Sequence, residues 1–304
     1  MQIIDFYQAL IERQIPIIVD SHQIDTYSKE QGYKTIFFDD YDFKSQQAAF
    51  LIFSDYNYYY KLKQLWHDSQ SIIVHLPAVK FDGSLAVIQY SFNQLMSSDI
   101  EQALAIRDIL YDKIADTETE LSLSDLRGSK LNCQLTDNIE IANADLELEP
   151  GWFYSVAEFW ESSVVNTKAN KSSFSVDGIF YFDGILSQTT TKETKENNWK
   201  PLKYLTDKVV NSQEKYLRIE DNAITQLIID GKNENSVLLD MSYNLERGLS
   251  LTEIAFGVNK KIRETVDWSI NSVVNEGIYG THVGIGMAQK APHIDFISQA
   301  LELA

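Results

Sequence analysis

The residues of this sequence best suited to chemistry lie near its C-terminus. Two of the five histidines, His282 and His293, fall within a stretch of twelve residues. His293 and Asp295 form a His-Ile-Asp triplet, and on a strand residues two apart point to the same face, so both side chains can reach one ion. His282 precedes Val283-Gly284-Ile285-Gly286, where small residues permit close backbone approach. Glu276 lies six residues ahead of His282, and Glu253 sits in Leu-Thr-Glu-Ile-Ala-Phe-Gly. Imidazole with carboxylate suits zinc, cobalt, manganese or iron, whereas all-oxygen ligation would suit calcium or magnesium. The same spacing also fits a surface His-Asp ion pair and a solvated Glu253, so spacing alone leaves both readings open.

Other chemistries find less support. His22, His67 and His75 have no partners at ligand spacing, and Asp39-Asp40-Tyr41-Asp42 lacks the glycine and terminal glutamate of a calcium loop. There is no Gly-x-Ser-x-Gly elbow, no P-loop and no His-Glu-x-x-His helix. The single cysteine, Cys133, excludes an internal disulfide and a cysteine-rich zinc site, and its strand-like surroundings predict burial.

Lys and Arg total 26 against 44 Asp and Glu, a net charge of −18. That field repels phosphate backbones and anionic lipid, so neither nucleic acid nor membrane is expected as a partner. No apolar run approaches the roughly 18 residues of a spanning helix. The N-terminus lacks the order of a secretory signal, which predicts a cytoplasmic protein.

These residues need elements to hold them. Ile3, Phe6, Tyr7 and Leu10 recur at helical spacing. Apolar runs at 15–19, 35–38, 50–53 and 72–76 read as buried strands, with helix-compatible segments at 26–31 and 56–66. Such alternation predicts a parallel sheet covered by helices. Ser98 and Glu101 have capping-box spacing, and Ala103, Ile106, Leu110 and Ile114 form one stripe of a further helix. The acidic, polar stretch 116–120 suggests a boundary between an N-terminal α/β domain, 1–118, and a β-rich α+β domain, 119–304. In the second, LSLSDLRGSKLNCQL predicts two strands about Arg127-Gly128, and Tyr216 to Ile229 a hairpin turning near Asp221-Asn222. Both Asp177-Gly178 and Asp183-Gly184 read as tight turns, and the polar segment 189–199 as an exposed loop.

From about Leu121 to Phe296 the chain resembles the aminopeptidase T and aminopeptidase S family of two-metal peptidases. LSDLRGSKL, SVDGIFYFDG, RGLSLTEIAFGVN, NEGIYGTHVGIG and PHIDF follow the family's motifs in order, and LEPGWFYS falls where the family has Pro-x-Gly-Glu-Val-Phe. The resemblance implies an α/β fold with an N-terminal parallel-sheet domain and a metal site in the β-rich domain. It places Glu253, His282, His293 and Asp295 on metal-ligand positions and Glu276 on the carboxylate proposed as general base. It also implies a homodimer, and one or two divalent ions per chain: zinc, cobalt or manganese, with iron as a further option.

The sequence departs from the family in a shorter loop between Gly286 and His293 and, above all, at one ligand position. The carboxylate that bridges the two metals would come from Pro-x-Gly-Glu, but here Trp152 follows Glu149-Pro150-Gly151. Tryptophan cannot ligate a metal. Glu149, Glu158 and Glu161 are candidate substitutes, and Trp152 becomes a candidate pocket residue. Three functions follow: a metal-dependent aminopeptidase-like hydrolase with an altered site, a non-catalytic peptide- or partner-binding relative, or a mononuclear iron enzyme. The last would use His282, His293 and Asp295 as a two-His-one-carboxylate set, as 2,5-dihydroxypyridine dioxygenases of the same fold do. With Trp152 in the bridging position, at most one tightly held metal is expected.

Overall fold

The computed structural model of the protein describes residues 1–117, 119–142, 147–242, 245–301 and 303. It opens with helix α1 (Ile3–Ile11), which buries Ile3, Phe6, Tyr7 and Leu10, the four residues whose spacing predicts it. Strand β1 (Ile17–Val19), helix α2 (His22–Glu30), strands β2 (Thr35–Phe37) and β3 (Ala48–Ile52), helix α3 (Tyr56–Gln64) and strand β4 (Ile72–Leu76) then alternate as expected. Ser21 and Asp55 cap α2 and α3 by accepting from Ile24 N and Asn57 N.

The helical end of this region differs from the expected one. Two helices stand there, α4 (Leu85–Ser97) and α5 (Ile100–Ala115). Ser98 ends the first, and Asp99 caps the second by accepting from Gln102 N at 3.0 Å. Asp is as good a cap as Ser, so the Ser98–Glu101 spacing points one residue early.

Strands β5 (Glu120–Ser124) and β6 (Lys130–Leu135) form the hairpin expected about Arg127-Gly128, with Cys133 buried on the second. After them come β7 (Ile141–Ala142), β8 (Phe153–Ser155), β9 (Glu161–Val165), β10 (Phe174–Tyr181) and β11 (Gly184–Gln188). Asp183-Gly184 turns the chain from β10 to β11, but Asp177-Gly178 lies inside β10, paired on both sides. Gly178 has a φ of +139°, and a Cβ there would collide with the Lys130 carbonyl. The glycine serves a close strand approach and not a turn.

The expected loop at 189–199 is instead the start of helix α6 (Lys192–Val210), capped by Thr191. Its first turns bury Thr194 and Asn198 where a helix ordinarily buries aliphatic residues, so no apolar stripe marks them. Strands β12 (Lys215–Glu220) and β13 (Ala223–Ile229) turn at Asp221-Asn222, both with positive φ, as the hairpin requires. Strand β14 (Lys232–Asn233), helix α7 (Asn235–Ser242) and strands β15 (Leu251–Gly257), β16 (Gly280–Ile285) and β17 (His293–Ser298) complete the chain.

Three sheets result. The first is parallel, in the order β2-β1-β3-β4-β8. Its last strand comes from beyond residue 119, so the chain returns to the N-terminal sheet after the expected boundary; Glu118, at that boundary, lies outside the described residues. The second, β14-β13-β12-β10-β6-β5, and the third, β11-β17-β16-β15-β9-β7, are antiparallel. Val176, Phe180, Leu217 and Leu227 of the second share one core with Val164, Ile254, Phe256, Val283 and Phe296 of the third. Leu186 and Ile297, from the other face of the third sheet, pack in the core of the N-terminal region with Trp160, Val258 and Ile278. Among the described residues no helix is long and apolar enough to cross a membrane.

Candidate metal centre

Alternation along the third sheet sorts its residues by face. Val164, Ile254, Phe256, Val283, Ile285, Ile294 and Phe296 fill the inter-sheet core. The residues between them point the other way. The register places Glu253 opposite Gly284 and Gly284 opposite Asp295, while Ala255, His282 and Ile297 form the next row. On the far side Ser163 faces Ala255 and Glu161 faces Gly257. Four strands therefore present Glu161, Glu253, His282, His293 and Asp295 on one face, over a floor of small residues. Glu276 reaches the same place from the end of a short 3-10 helix, Val273–Asn275.

The geometry is tight. His293 Nε2 lies 2.8 Å from Asp295 Oδ1 and 3.4 Å from Glu253 Oε2, and His282 Nε2 lies 3.6 Å from Glu161 Oε2. Three overlapping groups each bring their donor atoms within 4.8 Å of one another: Glu161, Glu276 and His282; Glu253, His282 and Asp295; Glu276, His293 and Asp295. His293 Nδ1 stands 2.9 Å from the Gly286 carbonyl, which turns Nε2 toward the cluster.

The electrostatics are those of carboxylates and imidazoles crowded together out of water. Glu161 Oε2, His282 Nε2 and Asp295 Oδ2 are buried without a hydrogen-bond partner. Burial and then the charges of Glu276, Glu253 and Asp295 raise the proton affinity of Glu161 well above the ordinary carboxylate value. Burial, Asp295 and Glu253 do the same for Glu276. Burial disfavours charge on His293, but Asp295 and Glu253 outweigh it and hold the imidazole protonated well above its usual range. Burial would raise Glu253 too, yet its bond to His293 and the charges of both histidines hold it down, at about 2. Four carboxylates and two imidazoles in one buried cluster can hold a metal ion, and the stranded donor atoms fit that use.

The five residues whose types and spacing suggest a site thus lie together here. Trp152 does not join them. It precedes β8 in the N-terminal sheet, is 45% exposed, and packs edge-on against Trp66 and His67 at 5.9 and 5.4 Å between ring centres. Glu149 is exposed, and Glu158 Oε1 accepts from Ser155 N, closing a capping box. Glu161, at the start of β9, is the residue that enters the cluster. Between Trp152 and Glu161 the chain crosses to the parallel sheet as β8 before β9 begins, a detour that chain order does not reveal. Ser163, which hydrogen-bonds Glu253, carried no signal of its own. His75 is buried and held neutral, its pKa lowered to about 3, and stands apart from the cluster on β4. A cavity of about 170 Å³ opens over Glu253 and His293, bordered by Gln188, Asn166 and Met287.

The fold is shared with enzymes of known structure. A 2,5-dihydroxypyridine dioxygenase from Pseudomonas putida KT2440 superposes with a TM-score of 0.53 at 11% identity, covering 98% of this chain and 92% of that one. AmpT from Thermus thermophilus gives a TM-score of 0.51 at 9% identity, covering 96% and 91%. At such identities the likeness is one of fold. No curated protein matches the sequence. The model of one family, described as crocagin biosynthetic protein CgnE/B, matches residues 12–304. Spanning nearly the whole chain, that match makes this protein a member of the crocagin biosynthetic protein CgnE/B family.

Proposed function

We propose that the chain is a metal-dependent, aminopeptidase-like hydrolase acting on a peptide or amide bond. The observation that carries this reading is the donor set itself, with Glu161 as its fourth carboxylate. Four carboxylates in one buried pocket repel each other strongly unless cations or protons neutralise them. Two divalent ions balance four negative charges. A single iron on two histidines and one carboxylate would leave three buried carboxylates without a role. The expectation of at most one metal rests on Trp152 in the bridging position, and the presence of Glu161 in the cluster supports a second ion instead.

The residues that would hold the ions are Glu161, Glu253, His282, His293 and Asp295. Divalent ions there would lower the pKa of a water and polarise the scissile carbonyl. Glu276, with its raised proton affinity, accepts the proton of the attacking water and returns it to the leaving amine. The cavity over Glu253 and His293, about 170 Å³, is smaller than the roughly 300 Å³ at which drug-sized pockets begin. It suits one terminal residue of a substrate, and membership of a biosynthetic family fits trimming of a precursor.

The test is elemental analysis of protein purified without chelator, followed by hydrolysis of leucyl and other aminoacyl amides with added zinc, cobalt or manganese. Bound metal with metal-dependent hydrolysis supports the reading. Protein that retains no ion at micromolar metal and hydrolyses none of the amides would sink it. Oxygen consumption on a dihydroxypyridine would favour the single-iron alternative. Pairing of two copies belongs to the same proposal and is checked by light scattering.

A further inference from the structure

Two cavities, of about 240 and 500 Å³, adjoin along helix α6. Lys195 and Trp199, both on α6, line the two together. Trp199 is 50% exposed and offers an open aromatic face. Lys195 is partly buried, and its Nζ donates to the Val79 carbonyl at 3.0 Å. Burial lowers its proton affinity, against the opposing charge of Asp82.

The other charges on these walls are occupied. Lys192 and Lys203 pair along the helix with Glu196 and Asp207, at 3.8 and 2.9 Å. Asp55 accepts from Asn57 N, and Asp82 from Ser84 N. Lys195 and Lys80 are left. Neither has a carboxylate within 4.0 Å among the described residues, in a chain where acids outnumber bases 44 to 26. Lys80 stacks over the Tyr59 ring at 5.1 Å, and its charge reaches Glu276. Unpaired cations beside an aromatic wall, in a cleft large enough for several residues, call for an anion attached to an apolar group.

We propose that this cleft docks a carboxylate-bearing peptide, its acidic side chain meeting Lys195 and an apolar neighbour lying against Trp199; the choice of a peptide rests on the hydrolase reading above. The chain itself joins cleft to site. Gln188, the register partner of His293, borders the cavity over the metal cluster, and its neighbours Ser187 and Thr189 line the cleft. A peptide crossing the end of β11 touches both. A carboxylate fits better than a phosphate, because the walls offer single ammonium groups, no arginine fork, and the acids Asp82 and Asp207, which repel a dianion more strongly.

The test is calorimetry on chelator-treated protein with acetyl-Leu-Phe-Glu-Glu-amide and its Gln-Gln analogue. The acidic peptide is expected to bind about tenfold tighter, as one charge-assisted hydrogen bond supplies. Lys195→Gln should erase that preference, while Trp199→Ala, at a half-exposed position that the fold tolerates, should weaken both peptides alike. Equal binding of the two peptides, an intact preference in Lys195→Gln, or displacement by equimolar inorganic phosphate would each overturn the proposal. Zinc titration of the same samples separates the two readings. Acidic-peptide preference in protein that takes up no metal leaves the cleft standing without the hydrolase. Metal-dependent hydrolysis without that preference removes the cleft alone.

Discussion

Gly284 stands opposite Asp295 in the register of β16 and β17, and a Cβ on it would lie 2.7 Å from Asp295 Oδ1 and 2.9 Å from His293 Nε2. The donor cluster occupies the volume that a side chain on β16 would fill. Position 284 is therefore open to glycine for the sake of its neighbours, since it is not among the glycines with positive φ. Gly284→Ala is expected to push Asp295 and His293 apart, at an overpacking cost of ~1–3 kcal/mol. Zinc affinity should fall much further than Tm does. Calorimetry beside thermal melts checks this, and wild-type zinc affinity in the variant would contradict it.

Glu161 and Trp152 divide the question of the missing bridge. Glu161 Oε2 is buried in the cluster, whereas Trp152 is half-exposed, just ahead of a strand of another sheet. Glu161→Ala should lower metal stoichiometry from two toward one, as the remaining carboxylates no longer offset the repulsion of two cations. Trp152→Ala should leave stoichiometry unchanged. The measurement is metal content after dialysis against micromolar zinc; loss of metal in the tryptophan variant would restore it as a site residue.

How far this was legible in sequence depends on the kind of signal. The helix Ile3–Ile11 announces itself by one buried face at helical spacing, and the strands at 17–19 and 72–76 by short apolar runs buried on both faces, while 35–37 is an apolar run that is only half-buried. Helix Lys192–Val210 begins with a polar surface and buries Thr194 and Asn198, so its start reads as loop. His282, His293, Asp295, Glu253 and Glu276 are legible because β15 to β17 follow one another, with Glu276 between the first two, so that the order of the resembled family's motifs runs through all five. Glu161 is legible only as one of three candidate substitutes beside Glu149 and Glu158, because its strand joins β15 only in three dimensions, after 153–155 has crossed to the parallel sheet. Chain order does not reveal sheet membership.

The cluster predicts an unusual pH response for metal-free protein. Glu161, Glu276 and His293 all have proton affinities raised in the fold, so the native state binds more protons than the unfolded chain. Their contribution is fully present below the unfolded values, about 4.3 for glutamate and 6.5 for histidine, and is lost as pH rises through the folded ones. Glu253 is lowered, so its contribution is present above its unfolded value and lost only as pH falls toward about 2. Below about pH 6.5 His75, lowered to about 3, opposes this trend; above it the metal-free protein should melt at progressively lower temperature as pH rises. Zinc should flatten that slope and release protons as it binds, because its ligands must be deprotonated. Thermal melts across pH and calorimetry in buffers of different ionisation enthalpy read both effects. A Tm that rises with pH above about 6.5 in chelated protein would contradict the account.

Glu276 separates stability from chemistry. It lies within the cluster, buried, with Asp295 and Glu253 among the charges that raise its proton affinity. In Glu276→Gln the shape is retained and the side chain is neutral in both states. Metal-free protein should then gain stability at neutral pH, since folding no longer requires a buried carboxyl of raised proton affinity to take up a proton. Catalysis should move the other way. If Glu276 carries the proton between water and leaving amine, kcat should fall by about 10²- to 10⁴-fold with little change in KM, and the limb of the pH profile that belongs to it should vanish. A purely structural glutamate would give the opposite pairing, lower Tm with kcat preserved per folded molecule. Melting curves and steady-state kinetics on the same variant, with metal content measured for each sample, distinguish the two outcomes directly.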